Sequence, residues 1–209
     1  MYILELFSGT ASVSKVLKEL YENCEIVSVD ILPGFNPTHA VDILTWEYTV
    51  YPPKHFEIIW ASPPCTEYSK AKRRSPRNLA LADSIVERTL QIIDYFKATY
   101  WYIENPADGG LMKHRPVMQH MNKYIHTCCY CRYGFEYRKA TNIWTNRHGL
   151  NLKMCYKHST PCDAMKTYGK HMKSAQYSRS SCARHGLGRG KVENAYSIPR
   201  ELIISLVPK

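Results

Sequence analysis

The hydrophobic period of the first thirty residues changes twice, and that change limits what the chain can become. Tyr2-Ile3-Leu4-Glu5-Leu6-Phe7 is a short, largely apolar run that stops at Ser8-Gly9, where a tight turn can form. Val13, Val16, Leu17 and Leu20 then recur at helical spacing within Ala11 to Leu20, and Glu25-Ile26-Val27-Ser28-Val29-Asp30 reads as a second strand ending in a carboxylate. A strand, turn, helix, strand unit suits an open, mostly parallel α/β sheet with helices on its faces.

The pattern continues downstream. Ala40-Val41-Asp42-Ile43-Leu44 places another acid near a short apolar segment, and Phe56-Glu57-Ile58-Ile59-Trp60-Ala61 predicts a buried strand ended by Ser62-Pro63-Pro64. Leu79 to Phe96 predicts the longest helix, with Leu81, Ile85, Leu90, Ile92, Ile93 and Phe96 on one broad apolar face. Tyr100-Trp101-Tyr102-Ile103-Glu104 predicts a strand closed by Asn105-Pro106, Met118 to Tyr124 a further helix, and Thr141 to Asn146 a further strand. From Arg147 to Lys191 periodicity fades, so this stretch is expected to pack against the α/β body or to depend on a metal. Helical spacing returns after Pro199, which suits a first helical turn. These shifts predict a core over 1–144, a small basic insert over 145–191 and a segment over 192–209 that returns to the core.

A chain of 209 residues has room for one substantial hydrophobic core. Its net charge of +10 is unevenly spread: residues 1–109 carry 10 Lys/Arg against 14 Asp/Glu, and residues 110–209 carry 18 against 4. A basic half attracts a polyanion, of which nucleic acid is the commonest, although a solvated basic surface would look the same in composition. The N-terminus lacks the features of a secretory signal and no long uncharged apolar window occurs, so a cytoplasmic protein with no membrane partner is expected. In a chain of this kind the eight cysteines read as thiols or metal ligands rather than as a disulfide scaffold.

Open α/β sheets collect ligands outside the C-terminal ends of their strands. Glu5, Phe7, Ser8 and Gly9, then Asp30 and Asp42, fall at such ends, as do Cys65 and Glu104. Leu6-Phe7-Ser8-Gly9-Thr10-Ala11-Ser12 has one glycine rather than the three of a dinucleotide fingerprint, and it lacks the Gly-Lys-Ser/Thr of a triphosphate loop. Asp30 can accept from a ribose diol and Asp42 can face an adenine amine, which suits an adenosine-bearing cofactor without requiring a phosphate. Cys65 stands between Pro64 and the basic run of Lys70, Lys72, Arg73, Arg74 and Arg77, with Ser69 among them. Nearby cations favour thiolate, and the same run can hold a phosphate backbone. A buried, space-filling cysteine is the competing reading. Glu104 ends a buried strand, where partial burial would let a carboxyl donate a proton near neutral pH. A thiol and a poised acid suit a pyrimidine: sulfur adds at carbon 6 of cytosine, nitrogen 3 is protonated or hydrogen-bonded, and carbon 5 becomes nucleophilic. The reacting base must first leave the DNA stack.

These residues resemble the DNA cytosine-5 methyltransferase family. Glu5-Leu6-Phe7-Ser8-Gly9 is similar to its cofactor motif, Ser62-Pro63-Pro64-Cys65 to its nucleophile loop, and Ile103-Glu104-Asn105-Pro106 to its Glu-Asn motif. The resemblance implies a Rossmann-like methyltransferase fold and S-adenosylmethionine as cofactor. Glu5, Phe7, Ser8, Gly9, Asp30, Ile31, Asp42, Ile43, Pro63, Asn194 and Ala195 would surround that cofactor. It implies Cys65 as nucleophile, Glu104 on cytosine nitrogen 3, and Arg138 on the cytosine oxygen. Thr66 stands where many members carry Gln. Only 55 residues separate Arg138 from Asn194, far fewer than the recognition region common in the family, which implies a short site, a specificity partner or homodimer, or weak specificity. Compact phage or mobile-element enzymes, including restriction-modification members, look nearest. A methyltransferase for RNA or a free cytidine nucleotide, and a nucleic-acid adaptor without catalysis, are the competing functions.

Cys131, Cys155, Cys162 and His171 could form a structural zinc site, with Cys128-x-x-Cys131 as another half-site. Alternatively Cys128, Cys129 and Cys131 are small core residues and the histidines belong to a DNA-facing surface. Arg179, Arg184 and Arg189, among Gly186, Gly188 and Gly190, could contact nucleic acid from a basic loop.

Overall fold

The structure is a computed structural model, and it describes residues 1–70, 72, 75–107, 112–171 and 197–208. Seven strands form one sheet: β1 (Tyr2–Leu6), β2 (Glu25–Asp30), β3 (His39–Ala40), β4 (Ile58–Ala61), β5 (Tyr100–Pro106), β6 (Ile125–Cys129) and β7 (Ala140–Thr145). Their order is β3-β2-β1-β4-β5-β7-β6. The first five are parallel, and β7 runs antiparallel between β5 and β6. The described α-helices are α1 (Ser12–Leu20), α2 (Leu79–Phe96), α3 (Asp163–Tyr168) and α4 (Arg200–Leu206).

Alternating strand residues feed two apolar layers. Leu4, Leu6, Ile59, Ala61, Trp101 and Ile103 face α2 and the 3-10 turns of Met112–Tyr124, while Ile3, Ile58, Trp60 and Tyr102 face α1 and α4. At seven residues α4 is too short to be helical alone in water, and burial of Leu202, Ile203 and Leu206 holds it. The predicted face of α2 packs through Ile92, Ile93 and Phe96, with Ile85 and Leu90 partly buried beside them, but Leu81 in the first turn does not. Ala82, Val86, Thr89, Ile93 and Phe96 point inward, whereas Leu81 is 46% exposed. The sequence reading weighted large side chains, but Ala82 and Thr89 complete the i, i+4, i+7 stripe that packs. Met118 to Tyr124 lies inside a 3-10 stretch, Pro116–Tyr124, and Pro199 is the N-cap of α4 rather than a first-turn residue. Strand β6 escaped sequence analysis because Ile125-His126-Thr127-Cys128-Cys129 does not alternate between apolar and polar.

Register explains where the site falls. Val29, Leu6, Ala61 and Ile103 form one row across β2, β1, β4 and β5. The residues just past that row are Asp30, Phe7, Ser62 and Glu104. Because β7 is antiparallel, its beginning meets the same rim, where Pro106 pairs with Thr141. The C-terminal end of β6 arrives there too, pairing Cys129 with Ala140.

Candidate active site

The first half of the rim is built on a turn with backbone in the left-handed region at Phe7 (φ 60°), Gly9 (φ 45°) and Ala11 (φ 55°). Phe7 and Ser8 N–H groups donate to Val29 O at 2.8 and 3.2 Å. Gly9 N–H donates to Asp30 Oδ2 at 2.8 Å, and Leu32 N–H donates to Asp30 Oδ1 at 2.9 Å. Asp30 thus fixes the turn. A Cβ at Gly9 would meet nothing within 4 Å, so the turn faces open space. Ala11, the N-cap of α1, offers no side-chain cap. Glu5 replaces it from β1, accepting from Ser14 N–H at 3.1 Å and from the Ser14 hydroxyl. Burial, with a smaller push from Asp30, raises the Glu5 carboxyl to about 7, and the bonds from Ser14 and Val13 oppose the rise.

Asp42 Oδ1 accepts from Leu44 N–H at 3.0 Å. Arg88 of α2 braces this loop, donating to Ile43 O at 3.4 Å and Trp46 O at 3.0 Å. Ile43 is buried and Ile31 is 62% exposed. Asn194 and Ala195 lie outside the described residues, but the returning segment beside them reaches this region, where Ile198 N–H donates to Ser12 Oγ at 3.2 Å.

The second half of the rim holds the Cys65 loop and Glu104. Buried Asn105 donates through Nδ2 to Pro63 O at 3.0 Å and so holds the Pro63-Pro64-Cys65 loop against β5. Among the described residues no donor reaches its Oδ1. The far end of the loop is pinned by Tyr68, which is fully buried and donates to Asp83 Oδ1 at 2.9 Å. Arg115 grips the same carboxylate through Nε at 3.0 Å and Nη2 at 2.6 Å.

Glu104 is 6% exposed. Tyr130, delivered by the end of β6, donates to Glu104 Oε1 at 2.8 Å, and Lys139 Nζ lies 3.6 Å from the same oxygen. Lys139 Nζ also sits 4.6 Å above the Tyr130 ring. The Cys65 thiol shares this environment. Burial raises its pKa, the Glu104 charge adds to the rise, and Lys139 opposes both. This overturns the expectation that the basic run lowers it. Glu67 ion-pairs with Lys72 and accepts from Asn78 N–H at 2.7 Å. Arg77 donates to Glu67 O at 2.5 Å and to Lys72 O at 3.2 Å, so these cations close their own loop. Ser69 is partly buried and Lys70 exposed, while Arg73, Arg74, Arg179, Arg184 and Arg189 fall outside the described residues.

The family resemblance gives Arg138 the cytosine oxygen. Its neighbour Lys139 supplies an ion pair to Glu104 that sequence analysis did not name, and Arg138 bears on His171, whose imidazole is held below its ordinary value by burial first and then by this cation. Consecutive residues of extended chain point to opposite sides. Lys139, one residue ahead of β7, and Tyr130 carried no local signal that pairs them with Glu104. The predicted metal ligands Cys131, Cys155, Cys162 and His171 do converge, with every ligand atom within 4.8 Å of the others. Cys128 and Cys129 are fully buried core residues.

The parallel sheet with an antiparallel β7, flanked by helices on both faces, is the Rossmann-like fold of S-adenosylmethionine-dependent methyltransferases. Solved structures share it. A prophage-encoded methyltransferase of E. coli superposes with a TM-score of 0.54 at 13% identity, covering 78% of this chain and 51% of the other. The Entamoeba histolytica methyltransferase EhMeth gives 0.52 at 13%, covering 75% and 57%. The chain thus spans a little over half the length of these structures. No protein-family model matches it. A protein of Frog virus 3 (isolate Goorha), named "Probable DNA (cytosine-5)-methyltransferase", is 29% identical over 225 aligned positions, which cover 99% of both chains. The resemblance to DNA cytosine-5 methyltransferases thus extends over the whole chain. No described helix is long and apolar enough to cross a membrane.

Proposed function

We propose that this chain transfers the methyl group of S-adenosylmethionine to carbon 5 of cytosine in DNA. The observation that carries the reading is the meeting of Cys65, Glu104 and Lys139 on one strand-end rim beside the Gly9 turn. The activity in the viral relative's name agrees with it.

The first half of the rim fits the cofactor: the space over Gly9 is open, and Asp30 and Asp42 are carboxylates held at their loops by backbone N–H groups. S-adenosylmethionine, when bound, supplies an electrophilic methyl group on a sulfonium. The chain's own residues prepare the acceptor. Cys65 Sγ, as thiolate, adds to carbon 6 of an extruded cytosine, while Glu104 holds the nitrogen 3 side by hydrogen bonding. Carbon 5 then has enamine character and takes the methyl group. Loss of the carbon 5 proton to a base expels Cys65 and restores the ring. Lys139 positions Glu104 and favours the thiolate, and Asn105 keeps the loop in register.

The basic half of the chain supplies the field for the DNA backbone. Only 55 residues separate Arg138 from Asn194, which suits a short recognition site or one supplied by a second protein.

The test is incubation of the full chain with labelled methyl donor and, in parallel, duplex DNA, RNA and cytidine nucleotides. Label at carbon 5 of DNA cytosine is expected, with Cys65→Ser inactive and wild type trapped covalently on 5-fluorocytosine duplex. Label on RNA or nucleotides alone would move the substrate. Folded protein that binds the donor and labels nothing would overturn the proposal.

A further inference from the structure

Away from the rim, three segments with little apolar filling meet around sulfur. Cys131 lies in the 3-10 turn Tyr130–Arg132 after β6, Cys155 precedes the isolated bridge between Tyr156 and Thr160, Cys162 is the N-cap of α3, and His171 follows that helix. Their local apolar cluster has a buried core of only Cys129, Ala140, Cys155 and Cys162. His171 Nε2 is 3.6 Å from Cys155 Sγ and 3.3 Å from Cys162 Sγ. Cys162 N–H points at Cys155 Sγ from 3.4 Å, as a donor that stabilises a ligating thiolate.

We propose that Cys131, Cys155, Cys162 and His171 bind one structural Zn2+. Four ligands at Zn–S of about 2.3 Å and Zn–N of about 2.0–2.1 Å, arranged tetrahedrally, stand roughly 3.5–3.8 Å from one another. Two pairs stand at 3.3 and 3.6 Å and all four ligand atoms lie within 4.8 Å of one another, so a small closing movement reaches that size. Three soft sulfurs and one imidazole select zinc over magnesium or calcium, which take oxygen. A disulfide would use two of the thiols and leave the third and the imidazole without a reason to converge. The four side chains come from three segments, so the ion would tie together a region with little apolar core of its own.

The site also braces the carboxylate at the rim, a role that rests on the function proposed above. Cys131 adjoins Tyr130, whose hydroxyl donates to Glu104. Tyr130 N–H donates to Lys139 O at 3.0 Å, and Arg132 Nη1 donates to Pro161 O at 2.5 Å beside Cys162. Fixing Cys131 therefore fixes both groups that hold Glu104.

The ion is read without substrate. Full-length protein, stripped with chelator under reducing conditions and reloaded, should retain one zinc per chain by elemental analysis. Cobalt loading should give the intense visible bands and sulfur-to-metal charge transfer of a tetrahedral sulfur-rich site. Cys162→Ser and His171→Ala should each weaken zinc binding by more than about tenfold, while Cys24→Ser should not. Failure to retain zinc, or retention unaffected by both ligand substitutions, overturns the site. Stripping should lower the melting temperature and abolish methyl transfer, with zinc restoring both; unchanged transfer after stripping overturns the brace. Zinc-loaded protein that transfers no methyl to any substrate would count against the catalytic reading and leave the metal site standing.

Discussion

Lys139 bears on two functional groups at once, and its effect has a sign. It opposes the rise in the Cys65 pKa caused by burial and by Glu104. Removing it raises that pKa further, so the acid limb of the rate against pH should move to higher pH in Lys139→Ala and stay near wild type in Lys139→Arg. An unmoved limb in the alanine variant would show that the cation does not act on the thiol. Glu5 provides a second titration, visible in stability. Its carboxyl rises from 4.5 to about 7 on folding, so the folded chain holds the proton more tightly than the unfolded chain. Its contribution is full below about 4.5 and lost as pH rises through about 7. Over that window, denaturant unfolding of Glu5→Gln should lose stability less steeply than wild type. Equal slopes would mean that Glu5 is not the group responsible.

At the scale of elements, the reactive loop is held from both ends. Asn105 of β5 fastens Pro63, and Tyr68 anchors the other end on α2 through Asp83. Asp83 is held below the usual carboxylate range mainly by Arg115. Asp83→Ala removes the acceptor from a fully buried tyrosine hydroxyl, which should cost about 1–3 kcal/mol of stability by denaturant titration. It should also speed alkylation of Cys65 by freeing the loop. A cost below about 0.5 kcal/mol would mean that Tyr68 readily finds another partner. Helix α2 was fully legible as an element, since its boundaries at Leu79 and Phe96 follow from periodicity. The part of its face formed by Ala82 and Thr89 was not, because they look too small and too polar to define a face until the sheet beneath them is known. Strand β6 was illegible for a related reason: flanked by β7, it needs no alternation of its own.

Over the whole molecule, the rim divides along the strand order. The Gly9 turn, Asp30 and Asp42 belong to β1, β2 and β3, and the reactive groups belong to β4, β5, β6 and β7. The order reverses between β1 and β4, so the crevice opens at that switch point, where open sheets bind ligands. The acidic N-terminal half thus supplies most of the frame. The basic half closes it with Tyr130 and Lys139 and supplies the four proposed zinc ligands.

Patterns written over a few neighbouring residues were settled by the amino-acid order: the alternation of strand and helix, the glycine turn, the Pro-Cys loop and the carboxylate closing β5. Each depends on spacing along the chain, which the sequence displays directly. Only the tertiary structure decided that Lys139 meets Glu104 while Arg138 bears on His171, and that burial outweighs nearby cations at Cys65. Those outcomes depend on which strand lies beside which, and the antiparallel insertion of β7 between β5 and β6 joins residues far apart in the chain through hydrogen bonds no local pattern records.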